Sequence, residues 1–332
     1  MTSSPSAAAS ATPVGVHVRG AEGPLGHRVL AGLADPARFR IVGPADGDVV
    51  VHLGAGDHDA RARRRESVTS GAADDLAAAI QAEATHLVLV SSAMVYGAYA
   101  NNPVPLTEDA ILRPDVEFVY ARQLAAVEAL VDQWRRGAPG RTATVLRPVV
   151  TMADNATSSL AGAIAAGSGQ RFGEEDPPAQ FLHVDDLASA VVLAIGDRLD
   201  GVFNVAPDGW IEGERVRALT GERPRLKLPD RIAKTVAGLR WRFERGPIPP
   251  GLWSYTRAPW VVANDRLKAA GWRPTVTNEQ AYVEGTEARW WTMVSPKRRQ
   301  ELSLGAMAGA GVLGLVAALS LIRRWRRRAA RP

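Results

Sequence analysis

The chain has 332 residues, 46% of them hydrophobic and 23% charged, with no cysteine, which excludes disordered, collagenous and disulfide-stapled classes and, with them, thiolate metal sites and cysteine nucleophiles. Its net charge of +5 and pI near 9.9 arise at the C-terminus. From Lys297 onward nine Lys or Arg face one acid, a net +8, so the 296 residues before them carry −3, which argues against the phosphate-tracking surface of a general nucleic-acid binder.

Residues 1–12 are Ser, Ala, Thr and Pro after the initial Met, without a basic start or an apolar run, and read as a disordered leader rather than a secretory signal. From Pro13 short apolar runs alternate with helical patterns. Strands are predicted at 14–18, 39–42, 49–53, 86–90, 144–146 and 202–205, and helices at 25–33, 71–84, 120–136 and 185–195. This rhythm predicts an α/β protein with a parallel sheet covered on both faces. Residues 13–150 form the expected nucleotide-binding core. Beyond them Gly, Pro, Arg and Trp become frequent, predicting a smaller C-terminal substrate lobe over 151–296 whose segments return in part to the core.

The first predicted strand ends in Gly20, Gly23 and Gly26 spaced G-x-x-G-x-x-G, leading into a helical pattern. Such glycines let the chain turn tightly and a pyrophosphate approach the backbone, while the helix start offers free N–H groups. The same loop also occurs for packing reasons alone. Further along stand Val90-Ser91-Ser92-Ala-Met-Val-Tyr96-Gly97, Phe118-Val-Tyr120-Ala-Arg-Gln, Leu146-Arg147-Pro148, Phe181-Leu-His183-Val-Asp185-Asp186 and Gly201-Val-Phe-Asn204. In this order, from about Val14 to Trp272, they resemble the NAD-dependent epimerase/dehydratase branch of the extended short-chain dehydrogenase/reductases, typified by UDP-glucose 4-epimerase.

The resemblance implies a Rossmann-type doubly wound fold, bound NAD or NADP, and hydride exchange at a carbon of a nucleotide sugar or similar alcohol. It implies that Ser92 orients the substrate hydroxyl and that the Tyr120 phenolate serves as acid and base. Gly20, Gly23, Gly26, Leu53, Arg147 and Pro148 would contact the cofactor, and Asn155 the substrate. An acid about 20 residues past the glycines would hold the adenosine ribose, and Asp46 is the candidate; Arg19 or Arg40 would instead suit a 2′-phosphate, so NAD and NADP both stay open.

Two departures stand out. The lysine that the family places four residues after the tyrosine is Leu124 here. A phenol with a reference pKa near 10 needs a nearby cation to ionise at neutral pH, and losing two pKa units of activation costs about 2.7 kcal/mol, on the order of a hundredfold in rate. Upstream, only a short stretch separates Phe39-Arg40-Ile41-Val42 from Val49-Val50-Val51-His52-Leu53, so one βα unit is expected to be missing. These departures leave two rivals to an enzyme: a non-catalytic NAD(P)-binding sensor or scaffold, and a vestigial core that binds no dinucleotide.

His17 and His52 are expected in the core or at an edge, and no cluster has metal-ligand spacing, so no metal is expected. His183 is expected to satisfy backbone groups ahead of a helix capped by Asp185 or Asp186. The tryptophans at 241, 253, 260 and 272 read as packing or as an aromatic wall. Residues 302–322 are 21 uncharged residues between Lys297-Arg298-Arg299 and Arg323-Arg324-Trp325-Arg326-Arg327-Arg328, long enough to cross a hydrocarbon core of about 30 Å. A terminal apolar helix attaching a cytoplasmic body to the cell membrane is expected, spanning or interfacial. Gly305 and Gly309 would let two such helices pair in a homodimer.

Overall fold

The valine-rich runs fold as a sheet buried on both faces. In the computed structural model six parallel strands, β1 (Val14–Arg19), β2 (Phe39–Ile41), β3 (Val49–His52), β4 (His86–Val90), β5 (Thr142–Pro148) and β8 (Gly201–Val205), lie in the order β2-β1-β3-β4-β5-β8. The described residues are 12–53, 74, 77, 79, 83–153, 157–168, 176–219, 235 and 250–286. The chain divides into two units, Met1–Glu287 and Ala288–Pro332, and only the first contains described residues. The expected leader, apart from Thr12, and the expected apolar helix at 302–322 lie outside them. Among the described residues no helix is long and apolar enough to cross a membrane.

Alternation along each strand feeds two cores. Val16, Val18, Val49, Val51, Val88, Val90 and Leu146 belong to one cluster, which also holds Val29 and Leu33 beside α1 (Pro24–Gly32) and Leu187, Val191 and Ile195 of α4 (Val184–Gly196). Val50, Leu87, Leu89, Ala143 and Val145 belong to the other, packed against Leu124, Val127, Val131 and Trp134 of α2 (Val119–Arg136). Helices thus cover both faces, as in a doubly wound Rossmann-type fold.

The expected absence of a βα unit is visible at β1. Val16 pairs with Ile41 on one side and Val49 on the other, so the chain passes from one flank of β1 to the other within residues 42–48. Gly15 and His17 point to the face it crosses. A Cβ on Gly15 would lie 3.0 Å from the Asp46 carbonyl oxygen, and one on Gly47 would lie 3.2 Å from the His17 Cβ. Asp48 Oδ2 accepts the Gly15 N–H at 2.8 Å and closes the crossing.

The smaller lobe adds a two-stranded parallel sheet, β6 (Val150–Met152) with β7 (Phe181–His183). On it pack α3 (Ser159–Gly167) and α7 (Asn278–Gly285), while α6 (Asp265–Ala269) packs against β8 and α5 (Gly213–Leu219) follows β8 in the chain. Only Val149 separates β5 from β6, while α4 and β8 rejoin the core. Before α4 the cap is His183 itself, whose Nδ1 accepts the Asp185 N–H at 3.3 Å. Asp186 instead clamps the approach to α7, accepting from the Thr275 N–H and hydroxyl and the Val276 N–H at 2.7 to 3.0 Å.

His86 opens β4 fully buried between Thr142 Oγ1 at 2.8 Å and the Ala194 carbonyl at 3.2 Å. Burial is the main reason its pKa is pulled down to about 4, against the opposing hydrogen bond to Ala194. The unfolded chain therefore takes up a proton that the fold refuses. The neutral ring's stabilisation is complete above pH ~6.5 and is lost as pH falls toward about 4, by up to about 1.4 kcal/mol per pH unit. Urea midpoints at pH 7 and pH 5 are expected to differ less for His86→Gln than for the wild type.

Candidate functional site

The glycine loop is held by geometry that side chains would disrupt. Gly20 has φ +83°, and a Cβ on Gly26 would lie 2.3 Å from the Ala21 carbonyl oxygen, so the loop and the start of α1 touch backbone to backbone. Gly23 is the N-cap and Pro24 opens the helix, where its missing N–H costs nothing. The Leu25 and Gly26 N–H groups precede the first full-turn bond, His27 N to Gly23 O at 3.0 Å, and both residues line a cleft of about 390 Å³. That volume falls in the range of ligand sites, and the position beyond the carboxyl ends of the strands is where open α/β sheets bind ligands. A Cβ-free cradle with first-turn N–H groups beside it fits a dinucleotide pyrophosphate.

Ser92 and Tyr120 lie on the same cleft. Ser91 and Ser92 follow the end of β4 and both border the cleft, but their hydroxyls take different partners. Ser91 Oγ donates inward to Glu128 Oε1 at 2.5 Å. Ser92 caps the short turn Ala93–Tyr96, its Oγ accepting the Met94 N–H at 3.2 Å, which uses one acceptor site and leaves the O–H proton to point elsewhere.

Behind this pair lies a buried polar network. Glu128 also accepts from Arg147 Nε at 3.2 Å and Nη2 at 2.6 Å. Arg147 Nη1 donates to the Tyr96 hydroxyl at 2.7 Å, which donates to Asn204 Oδ1 at 2.8 Å. Burial opposes the charge of Arg147, but the Glu128 carboxylate holds its pKa above the usual arginine value. Burial pushes the Tyr96 phenol up, against the pull of Arg147. The network ties α2 to the carboxyl ends of β4, β5 and β8.

Tyr120 sits in the first turn of α2. Leu124, one turn on, is 1% exposed and packs in the apolar cluster with Leu87, Leu89 and Val95. A chain of edge-to-face rings runs from Tyr120 to Phe118 at 5.8 Å, on to Tyr255 at 5.6 Å and to Trp260 at 5.4 Å. Tyr255 donates to the Met94 carbonyl at 2.7 Å and accepts no charge, because burial pushes its phenol well above the ordinary range. Trp260, its Nε1 donating to the Tyr255 carbonyl at 2.9 Å, forms a wall of the cleft.

The structure brings together Gly20, Gly23, Gly26, Leu53, Ser92, Tyr120 and Pro148, all on the cleft. It does not bring Arg147 or Asp46 there. Arg147 faces α2 and is committed to Glu128, while Asp46 lies in the crossing segment beside Gly15, toward the opposite end of β1 from the glycine loop. Asn155 lies outside the described residues, as does Trp241. Trp272 is packing, bonded to Ser189 Oγ at 2.9 Å, and Trp253 stacks under Arg257 at 4.3 Å. Sequence reasoning missed Met94, Leu160 and Ile164 as cleft walls, since apolar residues at such spacing carry no mark of their own.

A parallel sheet of this order, with a glycine loop, a serine and a tyrosine on one cleft, defines a Rossmann-type dinucleotide-binding protein. Residues 3–206 match the NAD dependent epimerase/dehydratase family, and the chain belongs to that family. An uncharacterized protein of Mycobacterium tuberculosis is 26% identical over 277 residues, covering 81% of this chain and 73% of that protein. Among solved structures, RMD from Pseudomonas aeruginosa complexed with NADPH is similar at TM-score 0.57 and 21% identity, covering 85% of this chain and 100% of that one. The Thermus thermophilus UDP-glucose 4-epimerase complex with NAD is similar at TM-score 0.56 and 19% identity, covering 82% and 97%.

Removing one partner of the Glu128–Arg147 pair strands a buried charge. Arg147→Ala is expected to lower stability by about 3–5 kcal/mol, and the double change Arg147→Met with Glu128→Leu to recover most of it. Urea unfolding of the wild type and the two variants measures this.

Proposed function

We propose that the protein is an NAD(P)-dependent enzyme exchanging hydride at a sugar or other secondary alcohol, with Ser92 and Tyr120 at the reacting oxygen. The observation that carries this reading is the single cleft shared by the glycine loop, Ser92 and Tyr120. Gly20, Gly26 and the first turn of α1 would hold the pyrophosphate, with Leu53 and Pro148 against the rest of the cofactor. NAD(P) supplies the hydride acceptor or donor when bound. Ser92 donates its O–H to the substrate oxygen, and Tyr120 takes or returns that oxygen's proton. The relatives named above include one whose structure is a UDP-glucose 4-epimerase, which supports a carbohydrate or related alcohol.

A second reading, a cofactor-binding sensor without turnover, is favoured by Leu124. Its side chain fills an apolar cluster where a lysine would be needed to hold Tyr120 ionised. Titration with NAD and NADP is expected to give saturable binding that Gly26→Ala weakens at least tenfold, and redox turnover that Tyr120→Phe removes. Binding without turnover, at any pH, supports the sensor; no binding at millimolar cofactor defeats both.

The apolar segment 302–322 with its basic flanks supports a further part of the proposal, attachment of a cytoplasmic body to an anionic membrane, whether spanning or interfacial. The pair Gly305 and Gly309 supports dimerisation through the same segment. Removing residues 300–332 is expected to move the protein from the membrane to the soluble fraction on cell fractionation. An unchanged distribution defeats the attachment.

A further inference from the structure

We propose that the connection leading into α2, residues 104–119, is a membrane-contacting face whose apolar side chains seat in a phospholipid bilayer. The proposal depends on attachment of the protein through its C-terminal segment, and it adds a second contact, made by the folded body itself.

Six large apolar side chains are exposed among the described residues, and four of them, Val104, Ile111, Val116 and Val119, lie on this one connection. Ile111 and Val116 are the most exposed, at 79% and 77%. The other two, Ile41 and Val283, stand apart in sequence, as scattered surface apolar residues do on most proteins. Apolar side chains gathered on one stretch of surface mark a contact with a partner or a membrane.

Their outward setting is fixed from both ends. The Leu106 N–H donates to the Val261 carbonyl and the Leu106 carbonyl accepts the Ala263 N–H, both at 2.8 Å. Phe118 is buried against Tyr255, and a Cβ on Gly251 would lie 2.7 Å from the Glu117 carbonyl oxygen. Between these anchors polar side chains are drawn back to the protein. Glu108 accepts the Asn204 N–H at 3.0 Å, Arg113 donates to Asn102 Oδ1 at 2.8 Å and stacks over Tyr99, and Asp115 accepts the Ser254 hydroxyl at 2.7 Å. Hydrocarbon is left facing outward. Asp109 and Glu117 stand on the same stretch, so this face binds by apolar burial, while the basic flanks of the C-terminal segment supply the attraction to anionic headgroups.

A bilayer is the occupant because the chain brings it within reach. Between Thr286 and the start of the apolar segment at Leu302 lie residues 287–301, fifteen in all. Fully extended they span about 50 Å, and a body held within that range meets the bilayer at a high effective concentration. Val119 precedes Tyr120, a residue of the cleft, so the contact places the neighbour of a reacting group at the membrane surface.

The absence of cysteine makes the test direct. In the full chain, Ile111→Cys, Val116→Cys and, as a control, Arg136→Cys each provide a single site for an environment-sensitive fluorophore. Arg136 is 74% exposed and ends α2, about 25 Å along the helix from Val119. On mixing with vesicles of phosphatidylcholine and phosphatidylglycerol, the labels at 111 and 116 are expected to shift to the blue and to be quenched by lipid-borne nitroxide. The label at 136 is expected to do neither, and Ile111→Asp to reduce the quenching at 116. Protein that sediments with the vesicles while the labels at 111 and 116 stay as in water overturns the proposal and leaves attachment through the C-terminus standing. Equal quenching at all three positions overturns it too. Labels already shielded before vesicles are added mean that the chain itself or a second copy covers the face, two cases that light scattering separates, and both overturn the proposal. Protein that does not sediment with the vesicles overturns the attachment and the proposal together.

Discussion

The buried pair Glu128–Arg147 is the interaction on which the geometry of the cleft depends. Its carboxylate and guanidinium are 7% and 6% exposed, a placement that is costly unless every lone pair and proton is used. Here Ser91, Arg147, Tyr96 and Asn204 supply the partners in sequence. Glu128 lies two turns along α2 from Tyr120, so fixing its carboxylate to the end of β5 fixes the rotation of the helix about its axis. The same carboxylate holds Ser91, the residue before Ser92. One anion therefore anchors the elements that carry Ser92 and Tyr120, and it does so without lining the cleft.

The second support comes from far along the chain. The segment carrying Tyr255 and Trp260 reaches back to the turn after Ser92 through the Tyr255 hydroxyl and to Tyr120 through Phe118. Edge-to-face rings resist sliding because each hydrogen edge faces a neighbour's electron-rich face. A phenol that stays protonated by burial is a dependable donor across the working pH range. The smaller lobe is thus a wall of the site and also part of what holds the site in register.

Most of the core was legible because a strand covered on both faces must be apolar throughout: Val49-Val50-Val51 and Leu87-Val88-Leu89-Val90 have no other reading. β6 and β7, three residues each, are too short to show a period. Two of the expected site residues lie away from the cleft, for separate reasons. Arg147 adjoins Pro148 in a motif that the resemblance assigns to the cofactor, but side chains alternate on β5. Pro148 therefore shares the cleft-facing side of Leu146, while Arg147 follows Val145 toward α2. Asp46 lies about 20 residues past the glycines, but α1 and β2 end before it, so the count runs past β2 into the segment crossing β1. The aromatic chain was invisible because its two pairs, Phe118 with Tyr120 and Tyr255 with Trp260, are separated by more than a hundred residues.

The crossing segment also bears on how the sheet assembles. Gly15 and Asp48, which close it, are 33 residues apart, whereas the contacts joining β4 to β5 and β5 to β8 span 56 and 57 residues. Closing a loop costs entropy that grows with its length, and contacts of short span form at lower entropic cost before the long ones. Eliminating a strand and a helix between β2 and β3 therefore makes β1, β2 and β3 a local nucleus. The half of the sheet that carries the glycine loop is placed to form first, giving the later strands, with Ser92 and Arg147 at their ends, a surface on which to dock.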